Sequence, residues 1–164
     1  MQRLVGLTGA GLMLLMGATA QAQDASWAFQ NGPATLILAA GAEDVQFIAQ
    51  CEAGTLDVTY MAPDRAQIAA GTEAACGGER PCREKLPATL LVDGKATAVT
   101  ARAQPEEMYG GYEIHFPMKA SDPFWTAMAR GRKLALTIDG KTGEALSLKG
   151  VAKPLGKLLA ACKG

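Results

Sequence analysis

The sequence predicts a mainly β domain: an antiparallel sandwich or flattened barrel of about eight strands, carrying a short helix and a C-terminal helix packed on it. Three observations lead there. Short stretches alternate apolar and polar residues, the period of a half-buried strand. Turn signals at Asn31-Gly-Pro33, Ala53-Gly54 and Asp93-Gly94 separate these stretches at short intervals. Only two segments, one near residue 123 and one near residue 154, combine a helix start with apolar residues three and four apart.

The chain opens with Arg3, an apolar run from Leu4 to Ala18, and the A-x-A arrangement of Ala20 and Ala22. That order predicts a secretory signal peptide over 1–22, cleaved after Ala22. The run is too short and glycine-rich for the ~20 residues of a bilayer span. Residues 23–164 then form a single β-rich domain, with no transmembrane segment after cleavage and no cysteine at the cleavage site for a lipid anchor. The periplasm of a bacterium is the expected location.

Along that domain, Trp27-Ala-Phe29 alternates aromatics before a turn, and Ala34 to Ala40 reads as a strand buried on both faces. In Val45 to Glu52, Val45, Phe47, Ala49 and Cys51 share one face, with Ile48 an apolar exception on the other. Leu56, Val58 and Tyr60 face inward from the returning strand of a hairpin. Asp64 to Ala70 fits either a helical turn or a continuing edge, and Thr72 to Lys85 reads as the most irregular stretch. Leu86 to Val92 and Lys95 to Ala101 form a hairpin about Asp93-Gly94. After the polar loop Gln104 to Gly111, Tyr112, Ile114, Phe116 and Met118 point in while Glu113 and His115 point out. Pro117 turns the end of that strand into an edge or exit. Asp122 caps a helix opened by Pro123 and closed by Gly131. Leu134 to Ile138 and Ala145 to Leu148 are strands, and Pro154 opens a helix whose stripe is Leu155, Leu158, Leu159 and Cys162.

Four cysteines in an exported domain predict two disulfides. Cys51 and Cys162 each lie on the apolar face of their element, so they are paired here, which leaves Cys76–Cys82 to pin a local loop. The chain-entropy relation assigns a ring of seven residues roughly 2 kcal/mol and one of about 110 residues nearer 5 kcal/mol. The long bridge therefore stabilises the fold, and the short one shapes a loop.

Charge is balanced in total but not along the chain. From Asp24 to Met118 six Lys/Arg face thirteen Asp/Glu; from Lys119 to Lys163 nine face three. The two parts can attract one another when folded, or the second can present a basic face to an anionic envelope component. Arg130, Arg132 and Lys133 are the densest cluster. They sit at a helix C-terminus, where cations suit the macrodipole, and with Lys153 and Lys157 they could meet glycolipid phosphates or an acidic protein. The loops 72–85 and 104–111 are further candidates for contact.

Groups for catalysis are few. His115 is the sole histidine, the mature part holds three serines (Ser26, Ser121 and Ser147), and no G-x-S-x-G elbow occurs. His115, on the polar face of its strand, reads as a solvent-exposed side chain. Glu106 and Glu107 read as solvated loop acids. An envelope hydrolase using His115 or Glu106/Glu107 is the alternative function. Copper handling through His115 with Met61, Met108, Met118 and Met128 is weaker, because His115 and Met118 point to opposite faces. The cysteines lack zinc or thioredoxin spacing. No cofactor and no nucleic-acid partner is expected, and the oligomeric state is left open.

The run Phe124 to Met128, Gly131, Leu134 to Ile138, Leu146 to Leu148, Gly150 and Leu155 to Leu159 resembles the C-terminal half of invasion-associated locus B type proteins. These are small secreted or periplasmic bacterial domains. The resemblance implies location and fold class; it transfers no functional residue, and the second cysteine pair departs from the family. The function expected is a non-enzymatic, disulfide-stabilised binding or accessory protein of the cell envelope.

Overall fold

A computed structural model describes residues 25–40, 44–61, 65–76, 85–106 and 111–163. The signal segment 1–22, Cys82, Glu107 and Met108 lie outside the described residues. The order is β1 (Ser26–Asn31), β2 (Ala34–Ala39), β3 (Val45–Glu52), β4 (Thr55–Tyr60), α1 (Arg65–Cys76), β5 (Leu86–Val92), β6 (Lys95–Pro105), β7 (Tyr112–Lys119), α2 (Pro123–Arg130), β8 (Lys133–Ile138), β9 (Lys141–Thr142), β10 (Leu146–Ser147) and α3 (Ala152–Ala161).

The ten strands form one antiparallel sheet in the order β1-β2-β3-β4-β7-β6-β5-β8-β10, with β9 also on β8. The sheet curls into a half-barrel. The bend lies in β6, whose residues 95–101 pair with β5 and whose residues 102–105 pair with β7. Two half-sheets therefore share one strand, and their apolar faces meet in one core. Leu36, Phe47, Leu56, Val58 and Ile114 from one half are fully buried there with Leu90, Leu134, Leu136 and Ile138 from the other.

Three of the hairpins turn through two residues with positive φ: Ala53-Gly54, Asp93-Gly94 and Asp139-Gly140. That is the type I′ pattern, whose twist matches the strands it joins. Ala53 adopts the left-handed conformation without the side-chain hydrogen bonding that eases it for aspartate.

Side chains close the opening of the half-barrel. Trp27 on edge strand β1 donates its indole N–H to the carbonyl of Ser147 on β10 at 2.8 Å. Tyr60 reaches the carbonyl of Glu144 at 3.4 Å. Trp27, Phe47 and Tyr60 stack edge to face across β1, β3 and β4, with centroids 5.4 and 6.5 Å apart. Burial raises the Tyr60 phenol well above the usual tyrosine range.

The helices cover what the sheet leaves open. In α2 the Asp122 carboxylate accepts from the Phe124 N–H at 2.8 Å, with Pro123 beginning the helix. Phe124, Trp125 and Met128 are buried, and the Trp125 indole donates to the Lys119 carbonyl. Gly131 closes α2 as expected, but at φ −78° it is not left-handed. Its missing side chain answers to space, because a Cβ there would stand 2.5 Å from Val92 Cγ1 and 3.1 Å from Leu148 Cδ1. α3 begins at Ala152, two residues before Pro154, since a proline in the first turn forfeits no helical bond. It crosses to β1 and β2.

Helix α1 settles a segment that the pattern left open, and it extends into the stretch expected to be irregular. Ile68, Thr72 and Cys76 lie four apart on its buried face. Only Ile68 is strongly apolar among alanines, so the stripe has little contrast. Gly71 lets the helix backbone approach the carbonyl of Ile138 more closely than any Cβ would allow. The Thr72 hydroxyl is buried without a hydrogen-bond partner.

Cys51 and Cys162 are joined, with Cα atoms 5.5 Å apart and a sequence separation of 111. The bridge ties α3 to the end of β3, as the shared apolar placement of the two cysteines predicts. Cys76 is also disulfide-bonded; its expected partner, Cys82, is among the residues not described. Replacing Cys51 and Cys162 together by Ala should lower unfolding free energy by about 4–5 kcal/mol, from the loop-closure relation. Urea denaturation of the oxidised protein checks this; a loss under about 1 kcal/mol would mean that packing of α3 suffices without the bridge.

Candidate functional site

Because Leu134, Leu136 and Ile138 of β8 point into the core, Lys133, Ala135 and Thr137 point outward. On that outer face Leu91, Ala135 and Ala145 floor a shallow depression of about 500 Å³, with Arg132, Lys133, Asp93 and Gly94 at its margin. Two of the three expected anion contacts, Arg132 and Lys133, thus meet at one apolar-floored hollow. Arg130, at the last turn of α2, does not line it.

Asp93 fixes this margin. Its carboxylate accepts from the Arg132 N–H at 3.1 and 3.2 Å and from the Lys133 N–H at 3.0 Å, and its own N–H donates to the Lys133 carbonyl at 3.1 Å. The main chain of 132–133 is locked while both cationic side chains stay outside. Among the described residues neither side chain is in an ion pair. The sequence showed Asp93 only as a turn residue. Its tie to residues about forty positions away had no local signal.

A second group lies on the outer face of the other half-sheet. The register lines up Ala28, Ile37, Ile48, Thr59, His115 and Arg102 across six strands. His115 Nδ1 is 3.1 Å from Thr59 Oγ1, and His115 Nε2 is 3.2 Å from Glu113 Oε2. The imidazole is outward, as its strand position predicts, yet its side chain is only 13% exposed, so it is not the freely solvated group expected. Thr59 and Glu113 flank it on the sheet and cover both ring nitrogens. With Glu52, Asp57, Thr100 and Arg102 it borders a hollow of about 560 Å³.

The structure does not bring Glu106 to this group. Glu106 lies four residues beyond Arg102, the cross-strand neighbour of His115, which is about 13 Å of extended chain. Met118 and Met128 are core residues, Met118 on the face opposite His115. Among the described residues no three His, Cys, Asp or Glu side chains converge to hold a metal. No helix of the described residues is long and apolar enough to cross a membrane.

No protein-family model matches the chain, and no curated protein matches it. Among solved structures it is similar to the crystal structure of invasion associated protein B from Bartonella henselae. The match has a TM-score of 0.47 and 15% identity, over 84% of this chain and 94% of that one. The likeness is weak, and no residue role passes from that protein to this one.

If Asp93 locks the margin, Asp93→Ala should cost about 1–3 kcal/mol, through its charge-assisted bonds and its left-handed backbone. Asp93→Asn, which tolerates that backbone and keeps a carbonyl acceptor, should cost less than half as much. Urea titrations of both variants measure this, and equal losses would contradict the role given to the backbone conformation.

Proposed function

We propose that the protein is an exported, non-enzymatic binding or accessory domain of the bacterial cell envelope, acting in the periplasm. Its contact is with an anionic component, through Arg132 and Lys133 with Arg130 nearby. The observation that carries this reading is the depression of apolar floor and cationic margin. That pairing of surfaces suits an amphiphile with phosphate groups, such as an anionic glycolipid, better than a fully polar ligand. Two further observations support it. A bridge such as Cys51–Cys162 suits an oxidising compartment. In addition, the Lys and Arg side chains from Lys119 to Lys163 form no ion pair with a described residue, so the basic charge of this third is not consumed by local contacts. An acidic envelope protein is the second occupant the same margin would serve.

The test is sedimentation with lipid vesicles. Vesicles containing phosphorylated glycolipid should retain the protein, and uncharged vesicles should not. Arg132→Glu with Lys133→Glu should reduce retention at least tenfold, and raising salt from about 50 to about 500 mM should do the same by screening. Retention that ignores both changes would remove this reading.

The Thr59–His115–Glu113 group gives the hydrolase alternative a specific observation, since hydroxyl, imidazole and carboxylate are also the parts of a triad. Two features favour a sheet-surface role. All three are same-face neighbours on paired strands, which such contacts ordinarily stabilise. Thr59 and His115 are also flanked by strands on both sides, so their own main-chain N–H groups are committed to ladders rather than aimed at an oxyanion. His115→Ala should therefore leave vesicle retention unchanged and cost about 1 kcal/mol or less of stability. If it instead abolished the phenotype that gene deletion causes while the protein stayed folded, the hydrolase would replace the binding reading.

A further inference from the structure

β6 leaves part of its own edge open. In the hairpin with β5 the two-residue turn at Asp93-Gly94 makes Val92 and Lys95 a hydrogen-bonded pair, so Lys95, Thr97, Val99 and Ala101 direct their main-chain groups at β5. Ala96, Ala98 and Thr100 direct theirs the other way, towards the side where β7 lies. Yet β7 pairs with β6 only through Arg102–Pro105, and its own residues 116–119 pair only with β4. The proline in β7 agrees independently. Pro117 stands opposite Asp57 and has no N–H to give, so its main chain faces away from β4 and into the gap. Three successive donor–acceptor pairs, at Ala96, Ala98 and Thr100, thus face a gap in the middle of the sheet. Among the described residues none of them has a ladder partner.

A hollow lies at each end of the gap. The 560 Å³ hollow at one end is bordered by Thr100, Ala101 and Arg102 of β6 and by His115, Phe116 and Pro117 of β7. A hollow of about 250 Å³ at the other end lies between Lys95, Ala96 and Thr97 and the Pro123, Phe124 and Ala127 side of α2. Ala96, Ala98 and Thr100 are exposed, with small side chains that do not obstruct a neighbour. Lys95 and Arg102 stand at the two ends of the open run, and neither is in an ion pair among the described residues.

We infer that this open edge of β6 receives an extended segment of a partner protein as an added strand, with small side chains in its middle and carboxylates at its ends. Main-chain bonds to Ala96, Ala98 and Thr100 supply the affinity, and Lys95 and Arg102 supply the charge preference. The inference does not rest on the Arg132–Lys133 contact. A second folded copy fits poorly, because its edge strand would arrive with its own sheet attached, while β7 and α2 wall the gap. A free segment needs only one strand's width, about 4.8 Å.

The probe is an acetylated, amidated peptide, Glu-Thr-Val-Ala-Thr-Val-Thr-Glu, added to the full oxidised chain. In the free protein the amides of Ala96, Ala98 and Thr100 should exchange at least tenfold faster than those of Thr97, Val99 and Ala101. The probe should slow the first three at least tenfold. N-methylation of alternate peptide amides in one phase should abolish binding, and in the other phase leave it intact; this comparison needs no change to the protein. Ala98→Pro removes a donor that β5 does not use, so it should abolish binding with little change in Tm. Lysine in place of both peptide glutamates should weaken binding at least tenfold. The inference is overturned if the three amides are already protected, if their protection rises with protein concentration, if the probe does not bind, or if both N-methylated phases bind alike.

Discussion

The strand β6 runs eleven residues, about 36 Å of extended chain, and its two ends must serve different partners. A strand of ordinary length could pair with β5 or with β7, and the chain would then have two separate sheets, each with a bare apolar face. Because β6 does both, the halves are hinged at residues 101–102 and fold their apolar faces together. The remaining contacts answer to that hinge. The sheet cannot meet itself edge to edge, so Trp27 and Tyr60 reach across to main-chain carbonyls of 147 and 144. α2 packs against α3 and lies beside the start of β6, and α3 crosses to β1 and β2 while Cys162 fastens its end to Cys51 at the end of β3. The disulfide matters because it anchors a helix that otherwise rests on a stripe of only a few leucines.

The inner face was legible in the sequence and the outer face was not. Alternation placed Phe47, Leu56, Val58, Tyr60, Ile114 and Phe116 inside because a misplaced apolar residue of that size costs about a kilocalorie per mole or more. The same strong signal placed Cys51 and Cys162 together. Helix α1 leaves no clear trace in the pattern because its buried face is made of Ile68, Thr72 and Cys76 among alanines, which fits a helix, a loop or an edge. Contacts between outer residues depend on register and hairpin geometry, which no local pattern states. Thr59 meets His115 across 56 positions, and Asp93 meets Arg132 across 39. The expected cluster of Arg130, Arg132 and Lys133 was therefore found in composition, but only the fold separates the two residues that share a hollow from the one that does not.

Charge and topology together say where contacts with other molecules can form. Lys and Arg along the last third are free of ion pairs among the described residues, although acids predominate in the rest of the chain. Opposite charges there are offset without direct ion pairs, and salt screens such attraction over a Debye length of about 8 Å at physiological ionic strength. A basic field of that kind attracts anions but selects weakly among them. Selectivity needs shape or directed bonds, and the molecule offers one of each. The Arg132–Lys133 margin has an apolar floor, and the β6 edge has main-chain donors and acceptors at fixed spacing.

Those two surfaces make different demands on the fold, and the difference bears on how they would be kept. The cationic margin depends on Asp93, a single turn residue whose carboxylate holds two N–H groups, so it can be lost or altered by one substitution with the sheet intact. The open edge depends on the hinge itself. Pairing Ala96, Ala98 and Thr100 within the chain would require β7 to run alongside β6 past Arg102. That would flatten the bend and draw apart the two apolar faces that it brings together. An exposed strand edge is ordinarily a liability for aggregation; here it is flanked by β7 at one end and by α2 at the other, which hinders the approach of a folded neighbour. The edge is thus retained by the same constraint that closes the core, and no stabilising change confined to the surface could remove it.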